Sequence, residues 1–175
     1  MNKQIILDNL RCIPDFPKKG INFRDVTTLY KNAECMKAMT DDLYELYKDK
    51  GITKIVGIES RGFVMAAALA VRLGAGVVLA RKPGKLPATV IKESFSKEYG
   101  VDTVELHIDA INENDIVLIH DDLLATGGTA MATYKLVQHF HPKKTYINFI
   151  IEITDEGLHG RDIFKGIDLT TLVTV

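Results

Sequence analysis

Between Ile116 and Ala130 the chain passes from an apolar run, through two adjacent acids, to the small-residue turn Ala125-Thr126-Gly127-Gly128-Thr129. Glycines 127 and 128 let backbone N–H groups approach an anion, and a helix starting there would add the partial positive charge of its N-terminus. The hydroxyls of Thr126 and Thr129 supply further donors. Asp121 and Asp122 cannot favour a bare phosphate, so their partners are hydroxyl groups, a metal-bearing ligand, or both. Phosphate at the turn and vicinal hydroxyls at the acids together describe a phosphorylated sugar. A Walker loop is excluded because no lysine follows Gly127-Gly128, and a G-x-G-x-x-G turn is missing as well.

The elements that must carry these residues follow from periodicity. Asn32 can cap a helix running to about Lys50, with Met36, Met39, Leu43, Leu46 and Tyr47 at helical spacing and Gly51 ending it. Lys54–Ile58 reads as a buried strand, Gly62–Leu73 as an Ala-rich helix packed on a sheet, and Val77–Arg81 as another strand. Residues 82–100 hold two prolines and many charges, with a short extended piece at Thr89–Ile91, and read as a mobile excursion. Strands follow at Val104–Ile108 and Ile116–Ile119, a helix from about Thr129 to Phe140, and a strand at Tyr146–Ile151. Alternating strands and helices predict an α/β fold: a mostly parallel, twisted sheet flanked by helices, with ligands beyond the carboxyl ends of the strands.

The chain has 175 residues, which suits a single domain able to bury its own core. Lys plus Arg total 22 and Asp plus Glu total 23, so no overall charge draws it to nucleic acid or to an anionic membrane. The longest apolar run, Phe63 to Val71, is too short to span a bilayer. With no signal-peptide core at the N-terminus, the expected location is cytoplasmic. Cys12 and Cys35 read as reduced thiols.

At this point Val117–Ala130 resembles the 5-phosphoribosyl-1-pyrophosphate (PRPP) motif of type I phosphoribosyltransferases, and Leu123 to Thr129 resembles its adenine-specific form. Four further stretches agree in order: Pro14 to Leu29 is similar to the base-binding segment, and Glu59-Ser60-Arg61-Gly62-Phe63 to the pyrophosphate loop. Arg81 to Pro87 and Glu98-Tyr99-Gly100 are similar to the flexible-loop motifs. The resemblance implies one domain over 1–175, with a small base-binding hood at 1–30 and a flexible loop at 82–103. It also implies transfer of the phosphoribosyl group of PRPP to adenine, giving AMP and pyrophosphate in purine salvage, with Mg²⁺ as cofactor and a homodimer as the assembly.

The same resemblance distributes roles. Ala125, Thr126, Gly127, Gly128 and Thr129 would bind the 5′-phosphate. Asp121 and Asp122 would hold the ribose hydroxyls and favour positive charge on the ring, with magnesium held mainly by substrate and water near them. Glu59, Ser60, Arg61, Arg81, Lys82 and Lys85 would meet pyrophosphate, Arg61 acting in catalysis too, with a cis peptide expected between Glu59 and Ser60. Some of the basic residues at 81–85 could serve a neighbouring subunit. Adenine would lie between Phe23 and Leu123, its edge read by backbone near Asn22 and Arg24. Glu98 would assist proton movement on the base, and Tyr99 would close the loop over it.

Two positions depart from the family pattern. His120 stands before the acids where an apolar residue is usual; strand alternation points it away from Asp121, into a packing role. Asn22 also replaces an apolar residue, beside the base. The alternatives are a phosphoribosyltransferase for hypoxanthine or xanthine, and a non-catalytic PRPP-sensing regulator. The latter expects an added helix-turn-helix or a basic face, for which this chain has neither length nor charge.

Overall fold

The computed structural model describes residues 3–96, 100–154 and 157–175. Helix α1 (Lys3–Asn9) leads into a two-stranded antiparallel ribbon, β1 (Arg11–Pro14) with β2 (Asn22–Asp25). Next come α2 (Thr27–Tyr30), α3 (Ala33–Tyr47), β3 (Lys54–Ile58), α4 (Gly62–Leu73) and β4 (Gly76–Ala80). A second hairpin, β5 (Val90–Ser96) with β6 (Val101–His107), precedes β7 (Ile116–Leu124), α5 (Gly128–Gln138) and β8 (Lys144–Glu152). A 3-10 turn, Gly160–Phe164, leads to β9 (Leu169–Thr174).

The central sheet has the order β4-β3-β7-β8-β9, and every pairing in it is parallel. Side chains alternate between its faces. Ile55, Leu118, Ile150 and Leu172 join one core beneath α1, α3 and α4, while Val56, Val117, Ile119, Ile147 and Phe149 join another beneath α5 and the β5–β6 hairpin. The helix at 33 begins as its cap predicts, because the Asn32 side chain accepts from the N–H groups of Glu34 and Cys35. Helix α4 lies close on β3 at Gly57, where a Cβ would come within 3.0 Å of the Ala66 Cβ.

Two of the expected stretches differ from the sequence reading, and β1, β2 and β9 are strands that periodicity did not predict. The stretch read as an excursion contains β5, whose Ile91 and Phe95 pack toward the α5 core while Glu93 between them reaches Lys135 at 3.4 Å. That charged residue on the inward face hides the alternation. Strand β7 runs on through both acids to Leu124 rather than ending at Ile119. Cys12 is exposed and receives a hydrogen bond from Arg24 at 3.1 Å, whereas Cys35 is buried.

A polar row crosses the α3–α4 side of the sheet. His120 is fully buried beside Asn148, with 3.0 Å between His120 Nδ1 and Asn148 Oδ1. Asn148 donates to the hydroxyl of Thr170 at 2.9 Å, and that hydroxyl meets the Tyr47 phenol at 2.6 Å. Burial pushes the His120 imidazole down to about 4, so it is neutral near pH 7. With Asn148 Oδ1 accepting, Nδ1 carries the proton and faces a structural partner.

Candidate active site

The carboxyl end of β7 is where the loops converge. Helix α4 starts directly against it, because a Cβ on Gly62 would lie 2.9 Å from the His120 carbonyl and 3.0 Å from Asp121 Oδ1. Only glycine permits that approach, and it carries Ser60 and Arg61 to the acids. Arg61 Nε sits 2.6 Å from Asp122 Oδ2, with the acid side chain 3% exposed and the arginine 43%. The contact has the distance but not the angle of a hydrogen bond, which leaves Oδ2 with acceptor capacity.

A cavity of about 150 Å³ lies at the turn after β7. Its lining includes all five residues from Ala125 to Thr129, together with Asp121, Leu123 and Phe149. Gly127 has φ +77°, a conformation that glycine adopts without strain, and it is the N-cap of α5 with no side-chain capping bond. The first N–H groups of α5 therefore remain for an anion. What a side chain at Gly127 would meet is Phe164 Cε2 at 2.8 Å, Ile163 Cδ1 at 2.9 Å and the Gly160 carbonyl at 3.0 Å. The glycine thus faces the 3-10 turn behind the loop.

A second cavity, of about 270 Å³, is lined by Glu59, Ser60, Arg61, Asp121 and Asp122. The Glu59–Ser60 peptide is cis. Glu59 accepts from the Lys82 N–H at 2.8 Å and from Arg81 Nε at 3.1 Å, so the end of β3 orders the segment after β4. The Lys82 N–H, chiefly, holds its carboxyl below the usual range. Lys82 is paired with Asp102 of the β5–β6 hairpin, whereas the side chain of Lys85 is exposed.

Asp121 and Asp122 separate by strand alternation, Asp122 toward α4 and Asp121 toward α5. Burial, and then the neighbouring charge of Asp122, holds the Asp121 carboxyl well above the usual range. Its Oδ1 accepts from the Asp122 N–H at 2.9 Å.

Among the other expected residues that the structure describes, Asn22, Phe23 and Arg24 line neither cavity. They lie on β2, with Phe23 edge-on to Phe16 at 5.2 Å between ring centroids. Leu123 lines the cavity at the Ala125–Thr129 turn, whose lining does not include Phe23. Glu98 and Tyr99 lie outside the described residues. Three features escaped the sequence reading: Phe149 in the cavity wall, the 3-10 turn behind Gly127, and Tyr30. The Tyr30 hydroxyl donates to the Arg61 carbonyl at 3.3 Å, and burial first, then the two aspartates, raises its pKa. None carries a local motif; each reaches the site through tertiary contact.

Among the described residues no group of three or more His, Cys, Asp or Glu side chains is placed to hold a metal, and no helix is long and apolar enough to cross a membrane. Comparison with known proteins places this geometry. Residues 25–157 match the phosphoribosyl transferase domain model. The chain is 62% identical over 176 aligned residues, covering all of both chains, to an adenine phosphoribosyltransferase of Phocaeicola vulgatus. It superposes on the crystal structure of adenine phosphoribosyltransferase from Thermoanaerobacter pseudethanolicus with a TM-score of 0.93 at 41% identity, covering 99% of this chain and 100% of that one. It also superposes on the Giardia lamblia enzyme complexed with 9-deazaadenine, with a TM-score of 0.92 at 39% identity, covering 100% of this chain and 98% of that one. With the type I fold and near-complete coverage of such relatives, the chain belongs to the phosphoribosyltransferase family, in its adenine phosphoribosyltransferase branch.

Proposed function

We propose that the protein transfers the 5-phosphoribosyl group of PRPP to a ring nitrogen of adenine, giving AMP and pyrophosphate in purine salvage. The observation that carries this reading is that Asp121 lines both cavities. A ligand with a monophosphate at the Ala125–Thr129 turn and a diphosphate beside Ser60 and Arg61 would lay its ribose across the two acids, and PRPP has that order of groups. The C1–oxygen bond to pyrophosphate breaks as the C1–nitrogen bond to adenine forms, and adenine gives up its ring N–H proton. Asp121 and Asp122 favour the positive charge that develops on the ribose. Arg61 meets the leaving diphosphate, with Arg81, Lys82 and Lys85 beyond it, and Glu59 holds the first two of those in place.

Phe23 and Leu123 are assigned the faces of adenine, the backbone near Asn22 and Arg24 its edge, and Glu98 and Tyr99 the proton transfer and closure over the base. Residues 1–30 act as the hood and 82–103 as the flexible loop of one domain. An all-oxygen donor set suits Mg²⁺, and Asp122 and Glu59 are engaged by Arg61 and by the 81–82 segment, which fits an ion that arrives on the substrate. Bound there, it would supply charge neutralisation of the diphosphate. Asp121 and Asp122 are the residues nearest to hold it, through water.

A homodimer is part of this reading. Val64 and Val71 share one face of α4 and are exposed, Val71 by 84%, as are Val77 and Leu79 on the edge strand β4, next to the basic segment from Arg81.

The test is base competition with PRPP and Mg²⁺. Adenine is consumed in preference, with AMP and pyrophosphate formed in equal amounts; faster turnover of hypoxanthine or xanthine would overturn the assignment.

A further inference from the structure

We propose that Gly160 is a positioning residue for the 5′-phosphate, fixing the Ala125–Thr129 turn from behind through backbone contact. The proposal rests on the reading that this turn holds the phosphate of PRPP and AMP. A Cβ built on Gly160 would lie 2.1 Å from the Ala125 carbonyl oxygen, 2.9 Å from its carbon and 3.0 Å from Leu124 Cδ1. Two of those atoms are backbone, which cannot swing aside as the end of a side chain can. The Gly160 carbonyl and the side chains of Ile163 and Phe164 in turn occupy the space that a Cβ on Gly127 would need. The turn is therefore backed by the 3-10 segment at both its first and its third residue.

That backing is itself anchored. Phe164 is buried, and its ring centroid lies 6.4 Å from that of Phe149, which lines the phosphate-turn cavity from the sheet side. Arg161 Nε donates to Glu152 Oε1 at 2.8 Å, and Arg161 Nη2 donates to the Thr171 hydroxyl at 3.1 Å, tying the segment to the end of β8 and to the middle of β9. Arg161 is the first cause that holds the Glu152 carboxyl below its usual range. The Ile153 N–H donates to the Leu124 carbonyl at 2.9 Å, so the strand leading into the turn is fastened to the same corner. Backbone donors set in this way are preorganised, and a shift of the Ala125 peptide moves them all relative to the phosphate.

The experiment compares calorimetric affinities for AMP and adenosine, which differ by the phosphate, in the wild type, Gly160→Ala and Arg161→Gln. In the wild type AMP binds more tightly than adenosine; equal affinities would overturn the phosphate reading itself, and the proposal with it. In Gly160→Ala the preference for AMP shrinks by about tenfold with adenosine affinity kept, as the donors leave register. The KM for PRPP rises in parallel, and the KM for adenine does not. A purely structural role would lower Tm and leave the AMP-to-adenosine ratio alone, and that result overturns the proposal while the phosphate reading survives. If Gly160→Ala does not fold, Arg161→Gln decides, since it loosens the anchor without adding an atom against the turn. A reduced ratio there supports the assignment, and an unchanged one overturns it.

Discussion

Arg61 Nε lies 2.6 Å from Oδ2 of Asp122, joining the loop after β3 to the end of β7 inside one cavity. On the proposed reading, the guanidinium that meets the diphosphate is thereby held at an acid beside the ribose. Asp122→Asn keeps the shape and removes the charge, so Arg61 loses its anchor and the ribose loses a negative neighbour. The expected outcome is a folded protein whose turnover falls by about 10² to 10³. Asp121→Asn should lower turnover as well, because it too removes a carboxyl from beside the ribose on this reading. Steady-state kinetics of the two folded variants checks this, and near-normal turnover in both contradicts their placement at the ribose.

Variants at Gly127 and Glu98 test the proposed division between a phosphate-binding turn and chemistry on the base. Gly127→Val forces a β-branched residue to φ +77° and drives its Cβ toward Phe164 and Ile163, so the turn is pushed off its backing. The expected result is a PRPP KM raised by about tenfold or more. Glu98→Gln should instead depress kcat with PRPP binding largely kept, since a proton-handling contact strengthens in the transition state. PRPP affinity measured beside turnover decides it: loss of affinity in Glu98→Gln with retention in Gly127→Val would mean that the two segments have exchanged roles.

Much of the site was legible because its parts are local. Lys54–Ile58 and Gly62–Leu73 are found where apolar periodicity puts them, and the turn from Ala125 to Thr129, whose composition predicts an anion-binding loop, lines a cavity at the end of β7. Where one charge served a tertiary partner the pattern broke, as at Glu93 within β5, which answers Lys135 on α5. Strand β9 was missed for a related reason, since Thr170 looks like a surface residue until Asn148 and Tyr47 meet it in the interior. Gly160 and Tyr30 were invisible because their meaning depends on Ala125 and Arg61, each more than thirty positions away.

The buried row under α3 and α4 makes a stability prediction that activity should not share. Asn148→Ala leaves the His120 Nδ1–H without its partner in the interior and the Thr170 hydroxyl with the Tyr47 phenol, at a cost of about 1 to 3 kcal/mol. His120→Leu with Asn148→Leu replaces both members of the first bond by apolar groups, and should cost less than the sum of the single changes. Denaturant unfolding of the two single variants and the double measures the coupling. Strict additivity would show that the His120–Asn148 contact contributes nothing beyond packing.

The ribbon that carries Phe23 is tied down at Asp25, and this fixes how the ribbon responds to acid. Asp25 accepts from the Thr27 hydroxyl at 2.7 Å, from Arg11 Nε at 3.0 Å and from the Thr27 N–H at 2.9 Å, and its side chain is 11% exposed. The Thr27 hydroxyl first, then Arg11, lower its pKa to about 2. An unfolded aspartate titrates near 3.9, so between that value and about 2 the unfolded chain binds the extra proton. The resulting stabilisation, about 2 kcal/mol, is complete above roughly pH 5 and is lost as pH falls through 4 toward 2. Asp25→Asn lacks this term at every pH. The difference in unfolding free energy between wild type and Asp25→Asn should therefore be flat from pH 7 to pH 5 and shrink below pH 4, as read by urea unfolding at each pH. A difference that stays constant down to pH 2.5 would show that Asp25 is not held ionised by Thr27 and Arg11.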